Sequence, residues 1–164
     1  MKYILETKRL LLREMVDDDF NSLAKVLSTD GKEYVLKWLN WCKSSYQKDG
    51  FGHYAVIYKE TGEMIGSCGI SMQPINHEWK PEIGYHIRKD YHRQGLAKEV
   101  SSALRDYFFT TFKYDEVFSY MHDDNVASFK TAESIGMKYR FSYVDKEEKY
   151  LVYSMTKKEW MSIS

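Results

Sequence analysis

The residues best suited to chemistry crowd into one stretch, EIGYHIRKDYHRQGLAKEV, at positions 82–100. Its second half, His92-Arg93-Gln94-Gly95-Leu96-Ala97, carries basic and amide side chains and a glycine into the start of a helical pattern. The first N–H groups of a helix have no partner within it, and the macrodipole adds partial positive charge there. Such a turn can hold an anion. Gly95 has no Cβ, so the backbone can come close to a pyrophosphate, and Ala97 keeps the first turn uncrowded. A phosphorylated cofactor suits this turn; an ordinary strand–turn–helix connection is the alternative. The first half of the stretch is strand-like, and alternation puts Glu82, Gly84 and His86 on one face.

Two common phosphate motifs are absent. No G-x-x-x-x-G-K-[ST] string occurs, and no G-x-G-x-x-G follows a strand. The elements that must position the turn can be read around it. Lys8 to Glu14 is expected as a first strand, and Asp17-Asp18-Asp19 starts a helix carrying Phe20, Leu23, Ala24 and Leu27 at helical spacing. Glu33 to Lys48 is a second helical candidate. Phe51 to Lys59 alternates as a strand, Glu60 to Glu63 turns, and Met64 to Met72 is the next strand. Pro74 to Lys80 is expected as a loop and Glu82 to Arg88 as the central strand. Gly95 to Phe112 is a long helix with Leu96, Val100, Leu104, Tyr107 and Phe108 on one stripe. Glu116 to Met121 is a strand, Asn125 to Ile135 a helix closed by Gly136, and Tyr139 to Val144 pairs with Tyr150 to Met155. The order β-αα-βββ-α-β-α-ββ implies an α/β protein with a mixed sheet flanked by helices.

In that order the chain resembles the GNAT N-acetyltransferases. His92-Arg93-Gln94-Gly95-Leu96-Ala97 is similar to that family's acetyl-CoA motif, [RQ]-x-x-G-x-[GA]. Glu82 to Ile87 resembles its splayed central strand. Glu6 to Arg13 (ETKRLLLR) is similar to the opening of the subgroup that acetylates ribosomal-protein N-termini. Gly62 to Gly69 resembles a family hairpin, and Asn125-Val126-Ala127-Ser128 with Ile135-Gly136-Met137 a segment near the end of the fold. The resemblance covers nearly the whole chain. It implies one GNAT-like domain over residues 1–164, with about six to seven strands and a cleft between the parallel central strands.

The resemblance also implies roles. Acetyl-CoA is the expected donor. Backbone groups of Tyr85, His86 and Ile87 would hold the pantetheine and the thioester carbonyl. The N–H groups of Arg93, Gln94, Gly95, Leu96, Ala97 and Lys98 would hold the pyrophosphate, with Arg93 and Lys98 adding charge or simply forming a solvated basic turn. Asn125 would reach the pantetheine while capping its helix, and Phe129 would pack near the cofactor or in the core. Glu82 is the candidate base, directly or through water, or else an exposed strand-end carboxylate, with Glu78 and His77 in reserve, and Ser128 is the candidate partner of the departing sulfur, or a first-turn hydroxyl bonding the local backbone. An α-amine of pKa about 8 is about a tenth neutral at pH 7, whereas a lysine amine is neutral only at about the 10⁻³–10⁻⁴ level, so an N-terminal amine asks less of a base. The expected acceptor is therefore a protein or peptide N-terminus. A small amine is the alternative, and a CoA-binding sensor without catalysis is a second one. Two positions depart from the family pattern: His92 opens the phosphate motif, and Ala132 stands where many members carry a tyrosine acid.

Bulk properties narrow the classes. The chain of 164 residues carries 24 basic and 24 acidic side chains, which argues against an electrostatic nucleic-acid binder. Cys42 and Cys68 are too few for a disulfide framework, no His or Cys spacing suggests a metal, and the scattered methionines read as core filler. No apolar run approaches the length of a membrane span or a signal peptide, so a cytoplasmic monomer or homodimer is expected. Trp38, Trp41, Tyr46, His77 and Trp79 are candidates for an aromatic acceptor groove, or for packing in the helical layer.

Overall fold

A computed structural model describes residues 2–163. The strands are β1 Tyr3–Glu6, β2 Leu10–Arg13, β3 His53–Tyr58, β4 Met64–Ile75, β5 Glu78–Ile87, β6 Glu116–His122, β7 Lys138–Asp145 and β8 Glu148–Thr156. The helices are α1 Phe20–Val26, α2 Lys32–Asp49, α3 Leu96–Thr111, α4 Val126–Ser134 and α5 Lys157–Ser162. The strands form one mixed sheet ordered β1-β2-β3-β4-β5-β6-β8-β7. The mixed α/β architecture is the expected one. The sheet has eight strands because β1 pairs with β2 ahead of the expected first strand.

Apolar residues cover both faces of the sheet. On one face Leu96, Val100, Leu104 and Phe108 of α3 pack with Ile83, Ile87, Val117 and Met121. The other face carries Val35, Leu39 and Cys42 of α2 and Leu23 and Val26 of α1 against Ala55 and Met64. Met64, Met121, Met137 and Met155 are buried, as expected for filler, and both cysteines are buried and free.

The expected loop at 74–80 is instead a hairpin. β4 and β5 stay paired out to Ile75↔Glu78, and Asn76 and His77 turn the chain with φ of 49° and 70°. A two-residue turn with two positive φ angles matches the strand twist, and Asn is well suited to it. The proline that suggested a break is carried inside this strand pair, at Pro74↔Trp79.

The feature that positions a site is where pairing stops. β5 and β6 run parallel, yet only Glu82↔Phe118 marks their register. Beyond it the strands part, and no strand pairs with the β6-facing edge of β5. Arg88 N–H donates to Ile65 of β4 at 2.8 Å. By alternation the backbone groups of His86 also face β4, whereas those of Tyr85 and Ile87 face the opening.

Candidate active site

Two cavities meet at the splay. One, of about 690 Å³, is lined by Ile87, Arg93, Gly95, Leu96, Ala97 and Lys98, and by Ala127 and Thr131 of α4. The other, of about 790 Å³, lies against α2 and is lined by Trp38, Trp41, His53, Gln73, Glu82, Gly84, Ser119, Tyr120, Asn125 and Ser128, among others. Tyr85 and His86 line both, so they stand in the wall where the cavities join.

The first cavity has the makings of an anion site. Gly95 caps α3 in the left-handed region at φ 77°, and no side chain caps the helix. The first helical bond is accepted by Gly95 O from Glu99 N–H, so the N–H groups of Leu96, Ala97 and Lys98 precede the helical ladder. Arg93 also holds a positive φ, 63°, which bends the loop ahead of Gly95. A Cβ on Gly95 would meet only Arg9 Nη2, at 3.6 Å. The residues present therefore fit a pyrophosphate: a glycine cradle, free helix N–H groups, and Arg93 and Lys98 on the lining.

The loop is braced from below by a residue that the sequence reading did not single out. Arg9 donates through Nη1 to Gln94 O at 2.8 Å and through Nε to Glu99 Oε1 at 2.7 Å. Thr7 Oγ1 donates to the same carboxylate at 2.6 Å, as does the Arg9 N–H at 2.9 Å. Burial would raise the Glu99 pKa, but these bonds from Thr7 and Arg9 outweigh it and hold the carboxyl below its ordinary value. Gln94 thus serves through a carbonyl turned toward Arg9, and it is not on the lining. Arg9→Ala removes the brace without touching a cofactor-facing N–H. Acetyl-CoA affinity is expected to fall about 3- to 30-fold, about 0.7–2 kcal/mol or the scale of one hydrogen bond, as read by calorimetry.

The second cavity has a carboxylate at its floor. Glu82 Oε2 accepts from Tyr120 N–H at 3.3 Å, on the strand that diverges from β5. Burial pushes the Glu82 carboxyl up to about 8 against that one hydrogen bond. Lys37 is the one lysine or arginine on the cavity lining, and among the described residues no cation pairs with Glu82. Burial drives His53 down to about 3, with His86 nearby adding to the effect and Ser67 opposing it. His86 is lowered by burial as well: much of the residue is open to solvent, but its ring stands edge-on to Trp38 at 4.9 Å. Tyr120 is raised to about 12 by burial, with Glu82 next in weight.

At the junction the Tyr85 hydroxyl points at α4, 3.5 Å from Ser128 Oγ and 3.4 Å from Ser128 O. Asn125 Oδ1 caps α4 by accepting from Ser128 N–H at 3.2 Å. Ala132 is buried in the core and brings no hydroxyl to the site.

Other expected positions fall elsewhere. Phe129 stacks on Tyr153 at 6.4 Å beside the core and lines neither cavity. His92 reaches back to Ile87 O at 2.7 Å, occupying one carbonyl that faced the splay. Glu78 pairs with Lys80 at 3.4 Å in the exposed hairpin, and His77 forms its turn. Trp38 and Trp41 do line the second cavity, whereas Trp79 is exposed outside it and Tyr46 stacks on Tyr54. Among the described residues no three His, Cys, Asp or Glu side chains gather to hold a metal, and no helix is long and apolar enough to cross a membrane.

A sheet splayed between parallel strands, with an anion cradle on one side and a shielded carboxylate on the other, is the architecture of an acyl-CoA-dependent transferase. Residues 9–138 match the family described as Acetyltransferase (GNAT) domain, and the chain belongs to that family. The Bacillus subtilis protein YkkB is 32% identical over 146 residues, covering 82% of this chain and 85% of that protein. The acetyltransferase from Agrobacterium tumefaciens strain C58 superposes with a TM-score of 0.79 at 27% identity, covering 94% of each chain. RimL, a ribosomal L7/L12 alpha-N-protein acetyltransferase solved with coenzyme A, superposes at 0.77 with 16% identity, over 94% of this chain and 98% of RimL. The chain is an acyltransferase, and acetyl-CoA is its acetyl donor.

Proposed function

We propose that this enzyme acetylates a primary amine presented as a peptide or protein N-terminus, with the donor in the α3–α4 cavity and the acceptor in the α2 cavity. The observation that carries the reading is the shielded Glu82 carboxylate on the floor of the α2 cavity, next to the wall shared with the donor side. A carboxyl near 8 and an α-amine near 8 are matched for proton transfer. A lysine amine would sit more than two units higher. An acceptor that ends in a free α-amine therefore asks least of this site.

In this reading the N–H groups of Gly95 to Lys98 hold the pyrophosphate, and Arg93 and Lys98 supply charge. The Tyr85 carbonyl and the Ile87 N–H, which face the splay, pair with the pantetheine arm, and the Tyr85 N–H steadies the carbonyl oxygen as charge builds on it. Glu82 takes the amine's proton. The N–C bond forms as the C–S bond breaks, and the sulfur keeps the electron pair. The Tyr85 and Ser128 hydroxyls offer that sulfur a hydrogen bond, and this pair takes the place of a tyrosine at Ala132. Asn125 fixes the start of α4, and hence Ser128.

The test is acetyl-CoA-dependent thiol release with a panel of acceptors: short peptides with free α-amines, N-acetylated peptides bearing one lysine, free amino acids, polyamines and aminoglycosides. Turnover on free N-terminal peptides at least ten times that on the others is the expected result. Preference for a small amine would move the acceptor class, and tight acetyl-CoA binding with no turnover anywhere would overturn the reading.

A further inference from the structure

One buried polar residue of the acceptor cavity has no task in the scheme above. His53 is 4% exposed and lines the cavity that holds Glu82. It lies in a row across the sheet, His53↔Gly69 on β4 and Gly69↔Gly84 on β5. Neither glycine presents a side chain, and a Cβ on Gly69 would stand 2.0 Å from Gly52 O and 2.7 Å from His53 Cα. The imidazole can therefore lie over the sheet and reach β5.

Its ring is fixed at the far edge. His53 Nδ1 is 3.5 Å from Ser67 Oγ, which accepts the Trp38 Nε1–H at 3.1 Å. Trp38 and Trp41 flank the ring at centroid distances of 5.9 and 5.1 Å. The near edge is different. Nε2 has no hydrogen-bond partner among the described residues, and Ser101 Oγ is the one fully enclosed polar side-chain atom among them left without a partner, so Nε2 keeps access to the cavity. A polar nitrogen so placed calls for a water or a ligand to satisfy it.

What lies beside it is the carboxylate. A methyl on Gly84 would stand 3.1 Å from His53 Nε2 and 3.4 Å from Glu82 Oε1. Both polar atoms thus flank the bare face of one glycine, close enough to share a small hydrogen-bonding group. We propose that His53 is a positioning residue: its Nε2 and the Glu82 carboxylate hold one water over Gly84, and that water passes the acceptor's proton to Glu82. This rests on the reading of Glu82 as the base. The step balances: the water takes a proton from nitrogen, gives one of its own to the carboxylate, and is regenerated. Either ring tautomer serves, since the water can donate to Nε2 or accept from it. Burial keeps His53 neutral through the working range, so the ring adds no titration of its own. The other titratable groups on the cavity that holds Glu82 are Tyr34, Lys37, Tyr85, His86, Tyr120, His122 and Tyr150, and Tyr143 also feels the Glu82 charge.

The test uses the fastest acceptor from the panel and five variants. His53→Phe is expected to lower kcat about 10- to 100-fold with the KM for acetyl-CoA unchanged, and His53→Gln, which keeps a polar end, to recover part of it. Gly84→Ala, which fills the shared space, should match His53→Phe, and the double variant should be no slower than either alone. A crystal structure of the wild type that resolves waters should place one within hydrogen-bonding distance of both Nε2 and Glu82. A merely structural histidine would instead lower the Tm and leave kcat intact. Wild-type kcat in His53→Phe, or no water at that place, overturns the proposal. Glu82→Gln run in parallel separates the failures: if it falls while His53→Phe does not, only the role of His53 is lost, and if Glu82→Gln is itself fully active, the base assignment is lost.

Discussion

Glu82→Gln is expected to lower kcat by about 10²–10⁴-fold, the range general bases contribute, while acetyl-CoA affinity stays within about twofold. The amide is close to isosteric and can keep accepting the Tyr120 N–H, so the splay that this bond spans should survive. The carboxylate lies in the α2 cavity, and the Gly95 cradle lies in the other, which is why acetyl-CoA binding should be spared. The pH dependence is the sharper signature. With its carboxyl raised to about 8, Glu82 is largely protonated at pH 6 and becomes a competent base as pH passes 8. For the wild type, kcat/KM should rise with pH and level off above that point. In Glu82→Gln only the acceptor amine's own ionisation remains, and the shallow residual activity should follow that alone.

The same shift makes a statement about stability. The folded carboxyl keeps its proton up to about 8, whereas an unfolded glutamate releases it near 4.3. The native state therefore binds more protons across that window, and stability falls as pH rises through it. Thermal unfolding at pH 5 and pH 9 should show this decline in the wild type and a flatter one in Glu82→Gln. The gain in alkaline stability reports the burial of the carboxylate, and the loss of activity beside it reports the role that burial serves.

Local signals in the sequence were the readable ones. The glycine turn, the stripe on α3 and the alternation of β5 are each decided within a few residues, and the structure places them as expected. The Asn125 cap on α4 was readable for the same reason. β1 was not: four residues gain strand identity only by pairing with β2. α5 carries a capping box at Thr156 and Glu159, a local signal that the sequence does contain. The wall and cradle of the α3 cavity were legible because residues 85–98 form one continuous segment. The α2 cavity was legible only residue by residue, through Glu82, Trp38 and Trp41, and not as an assembly. His53, Tyr120, Trp38 and Glu82 come from β3, β6, α2 and β5, and only the strand order and the two glycines in the His53 row bring them together. Arg9 escaped for a similar reason, since its partners Gln94 and Glu99 lie some 85 to 90 residues along the chain.

Gly95→Glu carries the largest expected effect on the donor: acetyl-CoA affinity should fall by at least about 100-fold, some 2.7 kcal/mol. Two causes add. A carboxylate would project into the cradle where Leu96, Ala97 and Lys98 N–H groups point, taking the place of the pyrophosphate and repelling it. The backbone is also held at φ 77°, where a residue with a Cβ is strained by about 1–2 kcal/mol. Gly95→Asn separates the two, because Asn tolerates the left-handed region and carries no charge. It should keep a near-normal Tm and lose affinity far less than the Glu variant. Gly95→Glu should remain folded, since its Cβ meets only the mobile end of Arg9. Calorimetric titration with acetyl-CoA beside a melting curve reads both quantities. Wild-type affinity in a folded Gly95→Glu protein would mean that the pyrophosphate binds somewhere other than the start of α3, and the donor and acceptor cavities would then have to be exchanged.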